Sequence, residues 1–279
     1  MKHFYLKIAR LAMICTLVSI PFTASLVEAQ SPSFAMQNGA SFINIDSATT
    51  VVARGGHAII YPTGSNFVVT GSGQVSPPAT EAFGARIKVS DGTRDWFASL
   101  TFVSSTQINL VLPYDPISGV NPTGVLAVTV QKTDGMGGWL NDRSRNVNIG
   151  NYQPHSFVDY QGGSTPYLNA ELWGCVDTPC TGAEYIKKLL DGNPNPRTYN
   201  NNPTILVIYV TGARVDPSDI RVKLDGGSAQ NLLGSGMTSF LGVEQANWQL
   251  PSGISSGSHT IQITSSTSGD TNTASIVLQ

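Results

Sequence analysis

Apolar and polar residues alternate with a period of two along most of this chain. Ile87 and Val89 alternate with Arg86 and Lys88, and Ile108, Leu110 and Leu112 fall on every second position. Ile261 and Ile263 are interleaved with Thr260, Gln262 and Thr264, and Ile276 and Leu278 with Ser275 and Val277. An extended chain with that pattern sets one face on a core and the other in water, so the pattern predicts half-buried β-strands. Turn signals separate the runs: Asp91-Gly92, Asp134-Gly135, Asp225-Gly226-Gly227 and Gly234-Ser235-Gly236. Residues 157–160 and 167–173, around Gln161-Gly162-Gly163, read as a hairpin. One segment departs from the pattern: 183–190, closed by Asp191-Gly192, reads as a single short helix. The expected fold class is all-β.

An internal repeat organises these strands. Gln107-Ile108-Asn109-Leu110-Val111-Leu112-Pro113 recurs as Gln245-Ala246-Asn247-Trp248-Gln249-Leu250-Pro251. Gly119 and Gly257 stand at the same distance beyond the two prolines, and an alternating strand follows each, 126–130 and 260–264. Upstream, Tyr61-Pro62-Thr63-Gly64 is echoed by Tyr209-Val210-Thr211-Gly212. Several landmarks in the same order argue for two homologous all-β domains. Within the motif Ile108, Leu110 and Leu112 share one strand face, as do Ala246, Trp248 and Leu250; Gln107 with Asn109, and Gln245 with Asn247, share the other. Those amides are expected to bond neighbouring loop backbone. Pro113 and Pro251 end their strands, because proline donates nothing to a ladder.

The N-terminus changes the compartment. Lys2, Lys7 and Arg10 precede an apolar run over 11–22, too short to span a bilayer, and Val27 and Ala29 supply the small-x-small pattern of a cleavage site. Cleavage is expected between Ala29 and Gln30, leaving a mature chain without a membrane span, secreted, periplasmic or at the cell surface. The whole chain carries 16 Lys+Arg and 18 Asp+Glu; three basic residues and one acidic residue leave with the leader, so the net charge moves from −2 to −4. No basic run offers nucleic acid a positive face. Cys15 lies in the leader, which leaves Cys175 and Cys180 as an even pair in an oxidising compartment. They are expected to form a disulfide closing a short loop. Two thiolates without a neighbouring His or third Cys are too few for a closed zinc site.

With these residues in view the chain resembles a known type. Asn38-Gly39-Ala40-Ser41-Phe42, Gly55-Gly56, the strand through Tyr61 to Gly64, and Ser104-Ser105-Thr106-Gln107-Ile108-Asn109 with Leu112-Pro113-Tyr114 look like the IPT/TIG-type immunoglobulin-like domains of bacterial secreted proteins. The second copy is similar to the C-terminal domain that often closes such proteins. The resemblance covers about 36–150 and 200–279 and implies two tandem immunoglobulin-like β-sandwiches after a cleaved signal peptide. The implied layout is a leader (1–29), a first domain (30–150), a hairpin and disulfide-loop insertion or linker (151–199) that elaborates the start of the second domain, and that domain (200–279). Arg54 and Gly56 depart from the Pro-Gly turn such domains often carry. The resemblance implies a module of surface or exported proteins and transfers no catalytic residue. The DNA-binding role of related sandwiches in transcription factors does not fit a leader and a negative balance.

Candidate chemistry is sparse. Gly253-Ile254-Ser255-Ser256-Gly257 matches the hydrolase elbow in letters, but a strand, not a helix, is expected to follow it. His57, His155 and His259 are scattered, Asp216 and Asp219 flank Pro217, and neither a cofactor motif nor a metal motif is present. The one recognition candidate is the glycine-rich stretch 133–142, where Trp139 with Asn141 and Asp142 offers a ring to a sugar or a protein; the competing reading folds Trp139 back on the sheet edge. Trp96, Trp173 and Trp248 read as core or edge packing. The leading functional expectation is a non-enzymatic module for adhesion, spacing or protein interaction. Its partner is then an extracellular polysaccharide or a cell-surface protein. The alternatives are a carbohydrate- or polymer-binding protein and, third, a hydrolase.

Overall fold

The computed structural model describes residues 33–45, 50–115, 120–160, 164–189, 194–196, 198–199, 201–214 and 216–279. The expected leader with its cleavage point, and Gly119 of the first repeat, lie outside them. The first half contains β1 (Phe34–Asn38), β2 (Val51–Ala53), β3 (His57–Pro62), β4 (Gly73–Ala79), β5 (Glu81–Ala82), β6 (Ala85–Ser90), β7 (Asp95–Phe97), β8 (Ser99–Val103), β9 (Ile108–Val111), β10 (Gly124–Thr133) and β11 (Trp139–Gly150). The second contains β12 (His155–Ser156), β13 (Val158–Asp159), β14 (Tyr167–Leu168), β15 (Ala170–Cys175), β16 (Ala183–Leu189), β17 (Thr198–Tyr199), β18 (Asn202–Thr211), β19 (Ile220–Leu224), β20 (Gly234–Met237), β21 (Glu244–Gln249), β22 (Gly257–Ser265) and β23 (Gly269–Leu278). A 3-10 turn, Pro217–Asp219, precedes β19. Among the described residues no helix is long and apolar enough to cross a membrane.

Among the described residues the strands form four sheets: β1-β3-β9-β8-β4 and β2-β11-β10-β6-β5 before residue 151, then β16-β15-β18-β21-β20 and β13-β14-β23-β22-β19 after it. Each pair of sheets closes on its own apolar cluster. One holds Phe34, Met36, Ile60, Ile87, Leu110 and Val128; the other holds Leu172, Leu206, Ile208, Trp248, Ile261 and Ile276. The two halves follow one strand plan. β3, β9, β6, β10 and β11 correspond to β18, β21, β19, β22 and β23, and each half adds a short strand running parallel to its last one, β2 beside β11 and β14 beside β23. The sequence repeat is therefore a repeat of topology. Segment 151–189 supplies five strands to the second pair of sheets, and Val158, Leu168, Ala170, Leu172 and Leu189 join its cluster.

Local chemistry accounts for the turns. The β10–β11 hairpin closes on Asp134, whose Oδ1 accepts from the N–H groups of Met136 and Gly138, both at 2.8 Å. Those bonds hold its carboxyl below the usual carboxylate range. The hairpin expected in 157–173 is present, with Val158 opposite Leu168.

The helix expected over 183–190 is corrected: Ala183–Leu189 is strand β16, antiparallel to β15 from Ala170↔Leu189 to Cys175↔Ala183. A helix of that length is marginal alone. The Cys175–Cys180 disulfide, S–S 2.12 Å, turns the chain back beside β15, and pairing with an existing sheet edge outweighs weak local preference.

Residues 31–279 form one compact unit, and the halves meet through buried polar contacts. Thr211 Oγ1 accepts the His57 N–H at 2.8 Å and donates to the Gly242 carbonyl at 2.7 Å. Ser41 Oγ lies 3.0 Å from His155 Nδ1, and the Val158 N–H donates to the Ala40 carbonyl at 3.1 Å. Burial pushes His155 down to about 4. Gly212, at φ +82°, allows the close approach: a Cβ there would stand 2.2 Å from the Gln153 carbonyl oxygen and 3.2 Å from Ala53 Cβ. The docking thus uses Thr211-Gly212, the end of the second repeat landmark.

Candidate functional site

A concave surface with mixed chemistry lies on the outer face of the β16-β15-β18-β21-β20 sheet. Side chains alternate across a strand, and Leu172, Leu206, Ile208, Ala246 and Trp248 point into the core. Glu171, Trp173 and Cys175 of β15, Ile205, Val207 and Tyr209 of β18, and Gln245 and Asn247 of β21 therefore share the other face. Pairing sets them in rows: Glu171, Val207 and Asn247 in one, Tyr209 and Gln245 in the next. An outer sheet face is ordinarily polar, yet Ile205 and Val207 are buried there with Cys175, packed by Trp173, Cys180 and Tyr209. A cavity of about 380 Å³ opens over them, lined by Glu171, Trp173, Ala183, Ile205, Val207, Tyr209, Gln245 and Asn247.

Each wall is held in place. Trp173 Nε1 donates to Glu171 Oε2 at 3.1 Å, and Tyr209 lines the same cavity as that carboxylate. Burial, then that carboxylate, push the Tyr209 phenol up to about 12, so it is a neutral donor. The Tyr185 ring meets the Trp173 ring edge-on, centroids 5.6 Å apart at 78°. The disulfide joins the end of β15 to the turn that leads into β16, the strand that carries Tyr185. On the floor Gln245 Nε2 donates to Asn247 Oδ1 at 2.7 Å. The expectation that the motif amides bond loop backbone is corrected here: in both copies they bond each other, and Gln107 Nε2 donates to Asn109 Oδ1 at 2.6 Å. Residues two apart on one strand face are near neighbours, and their partner is already beside them.

The sequence-based candidate lies elsewhere. Trp139 is not part of a free loop: it opens β11 opposite Thr133. The Arg86 guanidinium lies 4.4 Å over its ring and 4.7 Å over the Phe97 ring. Asn141 Oδ1 accepts from Gln131 at 2.8 Å, and Asp142 pairs with Arg143 at 2.8 Å and Lys132 at 3.5 Å. The arginine that organises Trp139 is far away in sequence, so local pattern did not reveal it.

The remaining candidates are dispersed. His57 and His155 both belong to the junction, and His259 Nδ1 bonds Asp225 Oδ2 at 2.7 Å, which raises its pKa. Ser255 offers its carbonyl to His259, and strand β22 follows at Gly257. Asp216 caps the 3-10 turn, while Asp219 accepts from Ser266 and Thr267. Among the described residues no group of three His, Cys, Asp or Glu side chains could hold a metal ion. A second cleft of about 420 Å³ follows the junction, lined by Trp96, Phe97, Pro113, Tyr114, Arg214 and Leu241 among others. Behind it Glu244 is fully buried, and burial pushes its carboxyl up to about 7.

Sequence reasoning missed Glu171, Tyr185 and Tyr209 and read Trp173 as packing. One signal was available. Ile205-Leu206-Val207-Ile208-Tyr209-Val210 is unbroken rather than alternating, which means both faces of that strand are covered.

No family model matches the chain, and no curated protein matches it. Among solved structures, a chimeric titin Z1Z2 carrying an exogenous decorin peptide is similar over 88% of this chain and 98% of that one, at 13% identity and a TM-score of 0.20. The architecture rests on the sheets themselves.

Proposed function

We propose that the chain is an exported, non-enzymatic interaction module built from two immunoglobulin-like sandwiches of the IPT/TIG type, held as one body and presenting a recognition face outside the cell. The observation that carries the reading is the walled face of the second half. The two halves share a strand plan and a Gln-x-Asn-x-x-Leu-Pro floor, and the second adds an aromatic and carboxylate wall that its core does not need. A scaffold kept in duplicate, with extra side chains gathered over one sheet, is organised for contact. The leader expected over 1–29 places that contact in the periplasm, at the cell surface or beyond it. The partner is then a cell-surface protein or an extracellular polymer.

The test is to express the full-length gene in a bacterial host, fractionate the cells, and determine the N-terminus of the product. The expected product begins at Gln30, outside the cytoplasm, and is captured by an envelope or polysaccharide fraction. A cytoplasmic product that keeps residues 1–29 overturns the reading. So does turnover of a captured substrate that disappears in Ser255→Ala or in His259→Ala.

A further inference from the structure

We propose that the cavity over β15, β18 and β21 is a binding site for a neutral saccharide, with Trp173, Tyr209, Glu171, Gln245 and Asn247 as its recognition set. The inference rests on the interaction-module reading and names the chemistry of the partner.

A pyranose has two kinds of surface. Its C–H face is apolar and stacks on an aromatic ring; its rim carries hydroxyls, each a donor and an acceptor. Ligand sites pair apolar or aromatic walls with a few placed polar groups, in volumes of about 300–1,000 Å³. This cavity, at about 380 Å³, sits at the low end of that range, which suits one or two sugar rings. Trp173 and Tyr209 supply rings, and Ile205 and Val207 an apolar floor. The polar groups are complementary to hydroxyls. The Gln245–Asn247 bond uses one end of each amide, leaving Gln245 Oε1 as an acceptor and Asn247 Nδ2 as a donor. Glu171 takes a bond from Trp173 and keeps further acceptor capacity. These bonds also fix the wall before a ligand arrives, which lowers the cost of binding.

Charge selects among saccharides. Glu171 is the sole acidic or basic side chain among the described residues lining the cavity, and Lys188 of β16, opposite it in register, is not part of that lining. A carboxylate on the wall disfavours sulfated, phosphorylated or uronic-acid ligands by like-charge repulsion. The cavity lies on an open sheet face, so an internal unit of a polymer has the same access as a chain end. The first half makes the same point by contrast. Tyr61, Ile59, Gln107 and Asn109 repeat the floor, but Gln37 stands where the second half has Glu171, and β1 is the edge of its sheet. Among the described residues no counterpart of the Trp173–Tyr185 ring pair stands there.

The experiment uses the protein exported from the full-length gene. Its mobility is followed in native gels cast with soluble β-glucan, galactomannan or xylan, and with polygalacturonate as the acidic probe. The expected result is retardation by at least one neutral polysaccharide and none by polygalacturonate. Trp173→Ala is expected to weaken retention about tenfold or more, and Glu171→Gln several-fold. Tyr185 is more than half exposed, 53%, so Tyr185→Ala keeps the fold and still loses retention if Trp173→Ala proves unstable. Absence of retention by all neutral probes overturns the site. So does retention that survives both aromatic variants, or that is lost in Trp139→Ala alone. Release of reducing ends overturns the non-enzymatic reading instead, and a cytoplasmic product the export reading.

Discussion

The two halves of this molecule are built on the same strand plan, and they put its landmarks to different uses. Tyr61-Pro62-Thr63-Gly64 ends β3 at an open surface: Thr63 and Gly64 are exposed, and a Cβ on Gly64 would meet nothing within 4 Å. Tyr209-Val210-Thr211-Gly212 ends β18 inside the junction, where Thr211 is buried and a Cβ on Gly212 would collide with the Gln153 carbonyl. The Gln-Asn floor shows the same divergence. In the first half it lies beside an edge strand, and in the second it lies under a wall of aromatic rings and a carboxylate. The lesson is that a conserved plan constrains the core face of a strand, where packing leaves little choice. The outer face and the strand ends are free to acquire docking or recognition.

The largest expected effect tests the core that both halves share. Trp248 and Leu110 occupy equivalent positions and are both buried, at 1% and 0%. Trp248→Ala is expected to cost about 3–5 kcal/mol and Leu110→Ala about 2–5 kcal/mol, read by urea unfolding. If either variant unfolds its own half while the other half keeps its midpoint, the picture of one docked body breaks.

Glu244 is next, because it is buried behind the junction and has no counterpart role in the first half. Its folded pKa of about 7 lies above the ordinary glutamate value of 4.5, so the folded state holds the proton more tightly between those values. Stability from this group is fully present below about 4.5, falls as pH rises, and is gone above about 7. Glu244→Gln is expected to remove that slope and to stabilise the protein at pH 8 by up to ~3 kcal/mol. Melting curves from pH 4 to 8 check this, and an unchanged slope refutes it. His155, at about 4, acts in the opposite sense, its contribution being lost as pH falls from 6.5. The variant is therefore compared with the wild type at each pH.

The disulfide separates the halves further, since the first carries no such staple. Replacing Cys175 and Cys180 together by Ala is expected to cost about 2 kcal/mol, the chain-entropy value for so short a loop. Amide exchange is expected to rise in β16, with β1 unchanged. Equal loosening of both edges would refute a local role.

The smallest effect is expected at the exposed copy of the docking landmark, set against its docked counterpart. Thr211→Val leaves the His57 N–H and the Gly242 carbonyl without their partner and is expected to cost about 1–3 kcal/mol. Thr63→Val, at the exposed copy, is expected to stay within about 0.5 kcal/mol. Equal costs at the two sites would erase the distinction between a free and a docked end.

Much of the fold was legible in the sequence. Period-two alternation marked β6, β9, β22 and β23, because a half-buried strand must write its burial into every second residue. The repeated Gln-x-Asn-x-x-Leu-Pro found the two equivalent strands, and two cysteines five apart found their disulfide. The site was less legible. Its residues come from β15, β18 and β21, and only the unbroken apolar run of β18 hinted that the outer face was covered.

By itself the sequence determined which residues face a core, where the strands turn, and that the plan is duplicated, since these depend on neighbours a few positions apart. The tertiary structure alone decided that 183–189 is an edge strand, that Arg86 pins Trp139, that Thr211 joins the halves, and that Trp173, Tyr209 and Glu171 converge. The physical reason is the range of the interactions: alternation and turns are local, whereas pairing, stacking and docking join residues whose separation along the chain carries no signal of their distance in space.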